Sequence, residues 1–257
     1  MRRIVDRRRE DLAREVSSRP ALPNPPPLAF ETHQNAFLGA LAGRRGAAVI
    51  AEIKRGSPRL GSLVDRFDPL RQSLLYRDHG AAALSVVVEP HFFYGSYEVL
   101  ARCREVSGLP TIAKDFVVDR LQIAWAAEAG ASAVLLVAAL LSERELVDYA
   151  AIARSLGLVP LVETYAAADR QKLAGSRWEL VGINNRDLRT FAVDLEHSIR
   201  SLHELPPGAL RVAESGIRDR ADLDRLASAG FDAFLIGESL LLAPDPAAAL
   251  RELLGAA

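Results

Sequence analysis

The stretch AGASAVLLVAALLSEREL, residues 129–146, holds one complete structural unit. Gly130 is placed to close a preceding helix, because glycine enters the left-handed conformation of a helix C-terminus without steric cost. The run SAVLLVAA (132–139) is apolar throughout rather than alternating, the mark of a strand buried on both faces. Ser142 and Glu145 then give the S-x-x-E spacing of a capping box, which opens a helix by satisfying its free amides. Two further stretches carry nearly the same lead-in, HGAAALSVV (79–87) and AGFDAFLIG (229–237).

The unit recurs along the chain from residue 47. The apolar runs are AAVIAEIK (47–54), AALSVVVE (82–89), PTIAKD (110–115), SAVLLVAA, LVPLVE (158–163), LVGINN (180–185), LRVAESG (210–216) and DAFLIGES (232–239). Asp68-Pro69, Asp119 and Asp245-Pro246 provide further helix starts. Alternating strands and helices require a parallel sheet with right-handed crossovers. Eight such units favour closure, so the expected fold class is α/β, a single (β/α)8 TIM barrel with an extra N-terminal helical segment. The 257 residues suit one such barrel and are read as a single domain, with residues 47–257 as the barrel and 1–46 as an appendage. In the appendage, MRRIVDRRREDLAREV (1–16) spaces Ile4, Val5, Leu12 and Val16 as one helical face with a solvated charged side. SRPALPNPPPLAF (18–30) is too rich in proline for helix or central strand and reads as an extended connector.

Charge and composition exclude several classes. The net charge of −1 gives no global attraction for nucleic acid or an anionic membrane. No apolar run reaches the length of a membrane span. Cys103 is the single cysteine, so no intrachain disulfide forms, which suits the cytoplasm. The histidines at 33, 79, 91, 197 and 203 are scattered, and neither metal nor cofactor is expected.

Barrel active sites lie at the C-terminal ends of the strands. The residues that end these runs are Glu52 and Lys54, Lys114, Glu163, Asn184 with Arg186 beyond it, Glu214 with Ser215, and Gly237 with Glu238. Of 32 basic residues only Lys54, Lys114 and Lys172 are lysine, and two of these fall in that set. Arginine holds its proton, whereas a partly buried lysine can be tuned to release it. Lys54 and Lys114 are therefore candidates for proton transfer or Schiff-base chemistry, or else they pair with Glu52 and Glu163 to seal the barrel end. Lys172, within ADRQKLAG, reads as a solvated surface residue. Gly216 and Gly237 follow the last two strands, where barrels commonly bind phosphate, and Ser57 and Lys54 are within reach from the first loop. Phe92, Phe93, Tyr94 and Tyr97 either pack over the barrel mouth or wall an aromatic ring.

With these residues placed, the sequence resembles the indole-3-glycerol phosphate synthases of tryptophan biosynthesis. The resemblance runs through IAEIKRGSPRLG, SVVVEPHFFYGS, AKDFVVDRLQI, GASAVLLVAAL, LVETY, VGINNRDLRTF, VAESGI and FLIGESLL, and extends to the N-terminal helix and FLGALAGRRG. It implies closure of 1-(2-carboxyphenylamino)-1-deoxyribulose 5-phosphate to an indole with loss of carbon dioxide and water. By the same resemblance Lys114 is the general acid and Glu163 the base, while Glu52 and Lys54 orient groups and bind the substrate carboxylate. Asn184, Arg186, Glu214, Ser215 and Phe93 fall to substrate binding, and Lys54, Ser57, Gly216, Gly237 and Glu238 to phosphate. The expected partner is a small sugar phosphate carrying an anthranilate ring, with no nucleic acid or membrane, and the enzyme is expected as a monomer or weak dimer. The chain departs from the family pattern at Arg59 and Leu60, where a second serine and a lysine are usual, and at Val88, often a threonine.

Overall fold

A computed structural model of the chain describes residues 1–16, 35–42, 47–187 and 190–255. The proline-rich connector and the end of the FLGALAGRRG segment lie outside the described residues. The apolar runs form β1 (Ala48–Ile53), β2 (Ala83–Val87), β3 (Thr111–Lys114), β4 (Ala133–Val137), β5 (Val159–Thr164), β6 (Leu180–Asn184), β7 (Leu210–Glu214) and β8 (Ala233–Ile236). Each is parallel to its sequence neighbours, and β1 pairs with both β2 and β8, so the sheet closes. The helices are α1 (Arg2–Val16), α2 (Ala36–Ala42), α3 (Pro69–Asp78), α4 (Tyr97–Ser107), α5 (Arg120–Glu128), α6 (Glu143–Ser155), α7 (Ala167–Gln171), α8 (Leu195–Ser201), α9 (Arg220–Ala229), α10 (Glu238–Leu241) and α11 (Pro246–Leu254).

The start signals are the real ones. Asp68, Asp119, Ser142 and Asp245 each accept hydrogen bonds from backbone amides of the helix that follows, and Ser142 with Glu145 makes both bonds of the capping box. Gly130 stands just past α5 at φ 78°, donating its amide to Ala127.

Successive strand residues alternate between two apolar regions. One parity faces the surrounding helices: Val49, Ala51 and Ile53 of β1 and Val134 and Leu136 of β4 lie in that outer core. The other fills the barrel interior with Ala48 and Ile50, Ile112, Leu135, Leu161, Leu180, Val212 and Leu235. Helix α2 completes the interior, adding Phe37, Leu38 and Leu41 to the same cluster. Asn35 fixes that plug: its Oδ1 accepts the amides of Phe37 and Leu38, and its Nδ2 donates to the carbonyls of Ser132 and Gly157. Phe37 is fully buried, so its truncation to alanine should cost about 3–5 kcal/mol.

Helix α1 buries Ile4, Val5 and Leu12. Its charged side is not wholly solvated, because Arg8 shares the buried stripe at the i+4 position from Ile4. The Arg8 guanidinium grips both oxygens of Asp115, the residue after Lys114, with its Nε 3.1 Å from Oδ1.

Candidate active site

Continuing the inward parity beyond the apolar layer predicts what lines the barrel mouth. On β1 the inward series Ala48, Ile50 continues to Glu52 and Lys54; on β3, Ile112 continues to Lys114. On β5 it reaches Glu163, on β6 Asn184 and on β7 Glu214. A cavity of about 970 Å3 opens there, lined among others by Glu52, Lys54, Lys114, Glu163 and Asn184. Glu214 is fully buried and lies off the cavity wall, behind Lys114.

These groups form one continuous array. Lys54 Nζ donates to Glu52 Oε1 at 2.7 Å, and Lys114 Nζ lies 3.2 Å from Glu52 Oε2 and 3.5 Å from Glu214 Oε2. Burial alone would raise the Glu52 carboxyl, but Lys54 and then Lys114 outweigh it and bring it down to about 2. Burial, reinforced by Glu163, pushes the Glu214 carboxyl up to about 8 against the pull of Lys114. Burial lowers the Lys114 ammonium, yet Glu52, Glu214 and Glu163 more than reverse this and hold it above the usual lysine range. Three surrounding carboxyl groups thus outweigh the effect of burial on the Lys114 proton.

Two glycines make room for the carboxylates. A Cβ on Gly182 would strike Glu214 Oε1, and one on Gly237 would come within 2.5 Å of Glu52 Oε1. Gly237 thus clears space for Glu52, a requirement separate from any approach to phosphate. Gly216 and its neighbour Ser215 both have positive φ, 82° and 66°, and the Ser215 carbonyl is held by Asn185 Nδ2 at 3.0 Å. The strained serine thus opens the loop beside the cavity.

Over residues 1–253 the sequence matches the family described as indole-3-glycerol phosphate synthase. The chain belongs to that family. It is 40% identical over 260 residues to the indole-3-glycerol phosphate synthase of Albidiferax ferrireducens, covering 100% of this chain and 98% of the relative. The Koribacter versatilis synthase is 45% identical over 210 residues, covering 82% and 81% of the two chains. Among solved structures, 3-hexulose-6-phosphate synthase from Salmonella typhimurium superposes with a TM-score of 0.64 at 14% identity, covering 81% of this chain and 97% of that one. A tryptophan synthase alpha-subunit mutant from Pyrococcus furiosus gives 0.61 at 14%, covering 82% and 98%. At such identity these two share the barrel fold alone. As an indole-3-glycerol phosphate synthase of tryptophan biosynthesis, the chain is a decarboxylating lyase acting on a small phosphorylated molecule. Among the described residues no helix is long and apolar enough to cross a membrane.

The synthase cavity has two unlike ends. At one, Phe93 and Phe116 stand 6.1 Å apart, centroid to centroid, with Phe92, Leu135 and Val137 on the same wall. Fully buried Glu89 shapes the loop carrying them, accepting the amides of His91, Phe92 and Phe93. The aromatic group after β2 therefore divides. Phe92 and Phe93 face the cavity, Tyr94 packs over Gly56, and Tyr97 donates to Asp115 and meets Trp125 edge-on. At the other end lie Ser57, Gly216, Gly237, Glu238 and Arg186. Asn184 Oδ1 accepts the Arg186 amide at 2.9 Å, and Arg186 reaches Glu238 Oε2 at 3.4 Å.

Three features went unseen in the sequence. The Arg8–Asp115 pair was signalled only by the i+4 spacing of Arg8 from Ile4 and Leu12 within the apolar stripe. The contact between Glu163 and Glu214 depends on strand register, which no local pattern carries. Lys172 is the third, and its reading as a solvated residue is corrected. Its Nζ donates to the carbonyls of Ala138 at 2.7 Å and Leu141 at 2.9 Å in the short turn after β4, where the Ala138 carbonyl also accepts the Leu141 amide at 3.4 Å.

Proposed function

We propose that Lys114 is the general acid and Glu163 the base of the indole-forming reaction in this chain. The observation that carries this reading is the buried array Lys54–Glu52–Lys114–Glu214, with Glu163 beside it, set between an apolar aromatic end and an arginine-bearing end. The cavity is large enough for an aryl amino sugar phosphate. The anthranilate ring lies against Phe93 and Phe116, and the phosphate lies near Ser57, Gly216, Gly237 and Arg186.

The ring carbon bearing the carboxylate attacks the ketone carbon, and a carbon–carbon bond forms as the carbonyl π bond breaks. The electron pair passes to the ketone oxygen, where Lys114 places a proton. A developing alkoxide is far more basic than any lysine, so even a strongly held ammonium transfers its proton there. Carbon dioxide then leaves, returning its bonding pair to the ring system. Loss of the hydroxyl as water needs one proton delivered to oxygen and one removed from the new ring, and Glu163 removes the latter. Lys54 and Glu52 lie beside these steps, with Lys54 meeting the departing carboxylate. Holding both ends of the substrate converts its flexible chain into a near-attack geometry.

The charged state of Lys114 disfavours an amine nucleophile, so borohydride in the presence of substrate should trap no adduct. The reading keeps residues 1–46 as an appendage to one barrel domain and the enzyme as a monomer or weak dimer of the cytoplasm, needing neither metal nor cofactor. Its test is the fluorescence of indole-3-glycerol phosphate formed by the purified protein, with Glu163→Gln as the comparison. Full turnover in that variant would overturn the base assignment.

A further inference from the structure

Residues 56–62 fold into a small antiparallel ribbon, with Gly56–Ser57 paired to Gly61–Ser62. Its tip is fixed by Ser57, whose Oγ accepts the amide of Leu60 at 3.1 Å. A Cβ at Gly56 would strike the ring of Tyr94 and the carbonyl of Gly61, so the ribbon is pressed closely against the neighbouring loop. This tight turn projects Arg59 across the mouth to Glu238, where the two side chains form an ion pair. Glu238 also receives Arg186, so two guanidinium groups share one carboxylate on the cavity wall.

The charge balance at this place differs from that of its surroundings. Lys54 and Lys114 are met by Glu52, Glu214 and Glu163, Arg218 is paired with Asp222, and Arg225 with Glu196. Among the described residues, Arg59, Arg186 and Glu238 instead leave one positive charge in excess. The Arg59 and Glu238 side chains are 48% and 36% exposed, so their pairing is screened and weakly held. A phosphate dianion offers a guanidinium more charge and more acceptor oxygens than one carboxylate. By the resemblance drawn from the sequence a small hydroxyl is expected at residue 59, and this chain carries a cation there.

We propose that Arg59 is a phosphate-binding residue: Glu238 holds Arg59 and Arg186 in register while the site is empty, and the substrate phosphate draws both onto itself. The proposal rests on the placement of the phosphate near Ser57 and Gly237. Without Arg59 the remaining pair of Arg186 and Glu238 is neutral, and the dianion meets a carboxylate that no longer has a cation to spare.

The test uses inorganic phosphate as a competitive inhibitor in the indole-3-glycerol phosphate fluorescence assay. Arg59→Ala should raise both the phosphate inhibition constant and the substrate KM by about tenfold, the loss expected for a charge-assisted contact, with a smaller effect on kcat. Arg59→Lys should recover part of that loss. Glu238→Gln frees both arginines and should tighten phosphate binding. If Arg59 serves only as a latch for the ribbon, Glu238→Gln weakens phosphate as much as Arg59→Ala does, and the proposal is overturned. An unchanged inhibition constant in Arg59→Ala overturns it as well. Arg186→Ala tells the two failures apart: weakened phosphate binding there, with none in Arg59→Ala, removes Arg59 alone. No change in either removes the phosphate placement itself.

Discussion

Replacing Lys114 by arginine and by alanine separates its charge from its proton. The ammonium lies 3.2 Å from Glu52 Oε2 and 3.5 Å from Glu214 Oε2, with Glu163 also acting on it. Alanine leaves Glu52 with Lys54 and removes the cation that acts on Glu214 and Glu163. Removing one partner of a buried pair costs about 3–5 kcal/mol. At about 2–4 °C per kcal/mol for a chain of this size, Lys114→Ala should melt roughly 6–20 °C below the wild type. Arginine keeps the charge, and the open cavity beside residue 114 has room for the larger head group, so Lys114→Arg should melt within a few degrees of the wild type. Turnover should behave differently. Arginine does not release its proton, so both variants should lose roughly 10²- to 10⁴-fold in kcat. The assays are thermal melting and indole-3-glycerol phosphate fluorescence on the same preparations. Turnover in Lys114→Arg within about threefold of wild type would refute the general-acid argument, because activity would then follow charge and melting temperature alone.

Three further substitutions test the surrounding groups. Glu163→Gln should lower kcat by roughly 10²-fold or more with little change in KM, and it should let the Glu214 carboxyl fall from about 8, which carboxyl titration by NMR reads directly. Glu214 has a folded value above its ordinary 4.5, so the folded state keeps a proton that the unfolded state has lost, and stability declines as pH rises from about 4.5 to about 8. Glu214→Gln removes that decline, at up to about 1.4 kcal/mol per pH unit, so the variant's melting temperature relative to wild type should climb across this window and level off above it. A difference that does not vary with pH would show that Glu214 titrates normally. Lys172→Ala should cost about 1–3 kcal/mol in urea unfolding by taking the ammonium from the Leu141 carbonyl and leaving the Ala138 carbonyl only the long bond from the Leu141 amide, with kcat little affected. Unfolding at the wild-type midpoint would return Lys172 to the solvated surface.

The barrel was legible because each strand is buried on both sides and so reads as an unbroken apolar run, and because Asp68, Asp119, Ser142 and Asp245 mark helix starts chemically. Knowing the barrel, one can collect Glu52, Lys54, Lys114, Glu163 and Asn184 at one mouth without coordinates, since closure brings every strand end together. What a strand end touches is another matter. Glu214 ends its strand as plainly as Glu163 does, yet it lies buried behind Lys114, because the register sets Glu214 opposite Asn184 and Gly182 opposite Glu163. The missing side chain at Gly182 admits the Glu214 carboxylate, a vacancy that a sequence shows only as another glycine. Asp115 and Glu89 were equally hidden: both follow apolar runs and look like loop residues, but each is buried and bonded to groups that the chain brings from elsewhere or folds back upon it.

An acid and a base kept in one small cavity tend to neutralise each other. Lys114 bonds Glu52 and Glu214, and Glu163 acts on both Lys114 and Glu214. Glu214 therefore interacts with both groups proposed for proton transfer. Burial and Glu163 raise its carboxyl to about 8, which favours its neutral form beside Lys114 near neutrality. The array sits on the apolar layer that includes Ile50, Leu135, Leu161 and Leu235. Ionising Glu214 would add an anion to this low-dielectric layer, tightening its hold on Lys114 and opposing proton donation. Its full burial thus has a chemical consequence as well as a structural one: the group that never reaches the cavity sets how firmly the group facing it keeps its proton.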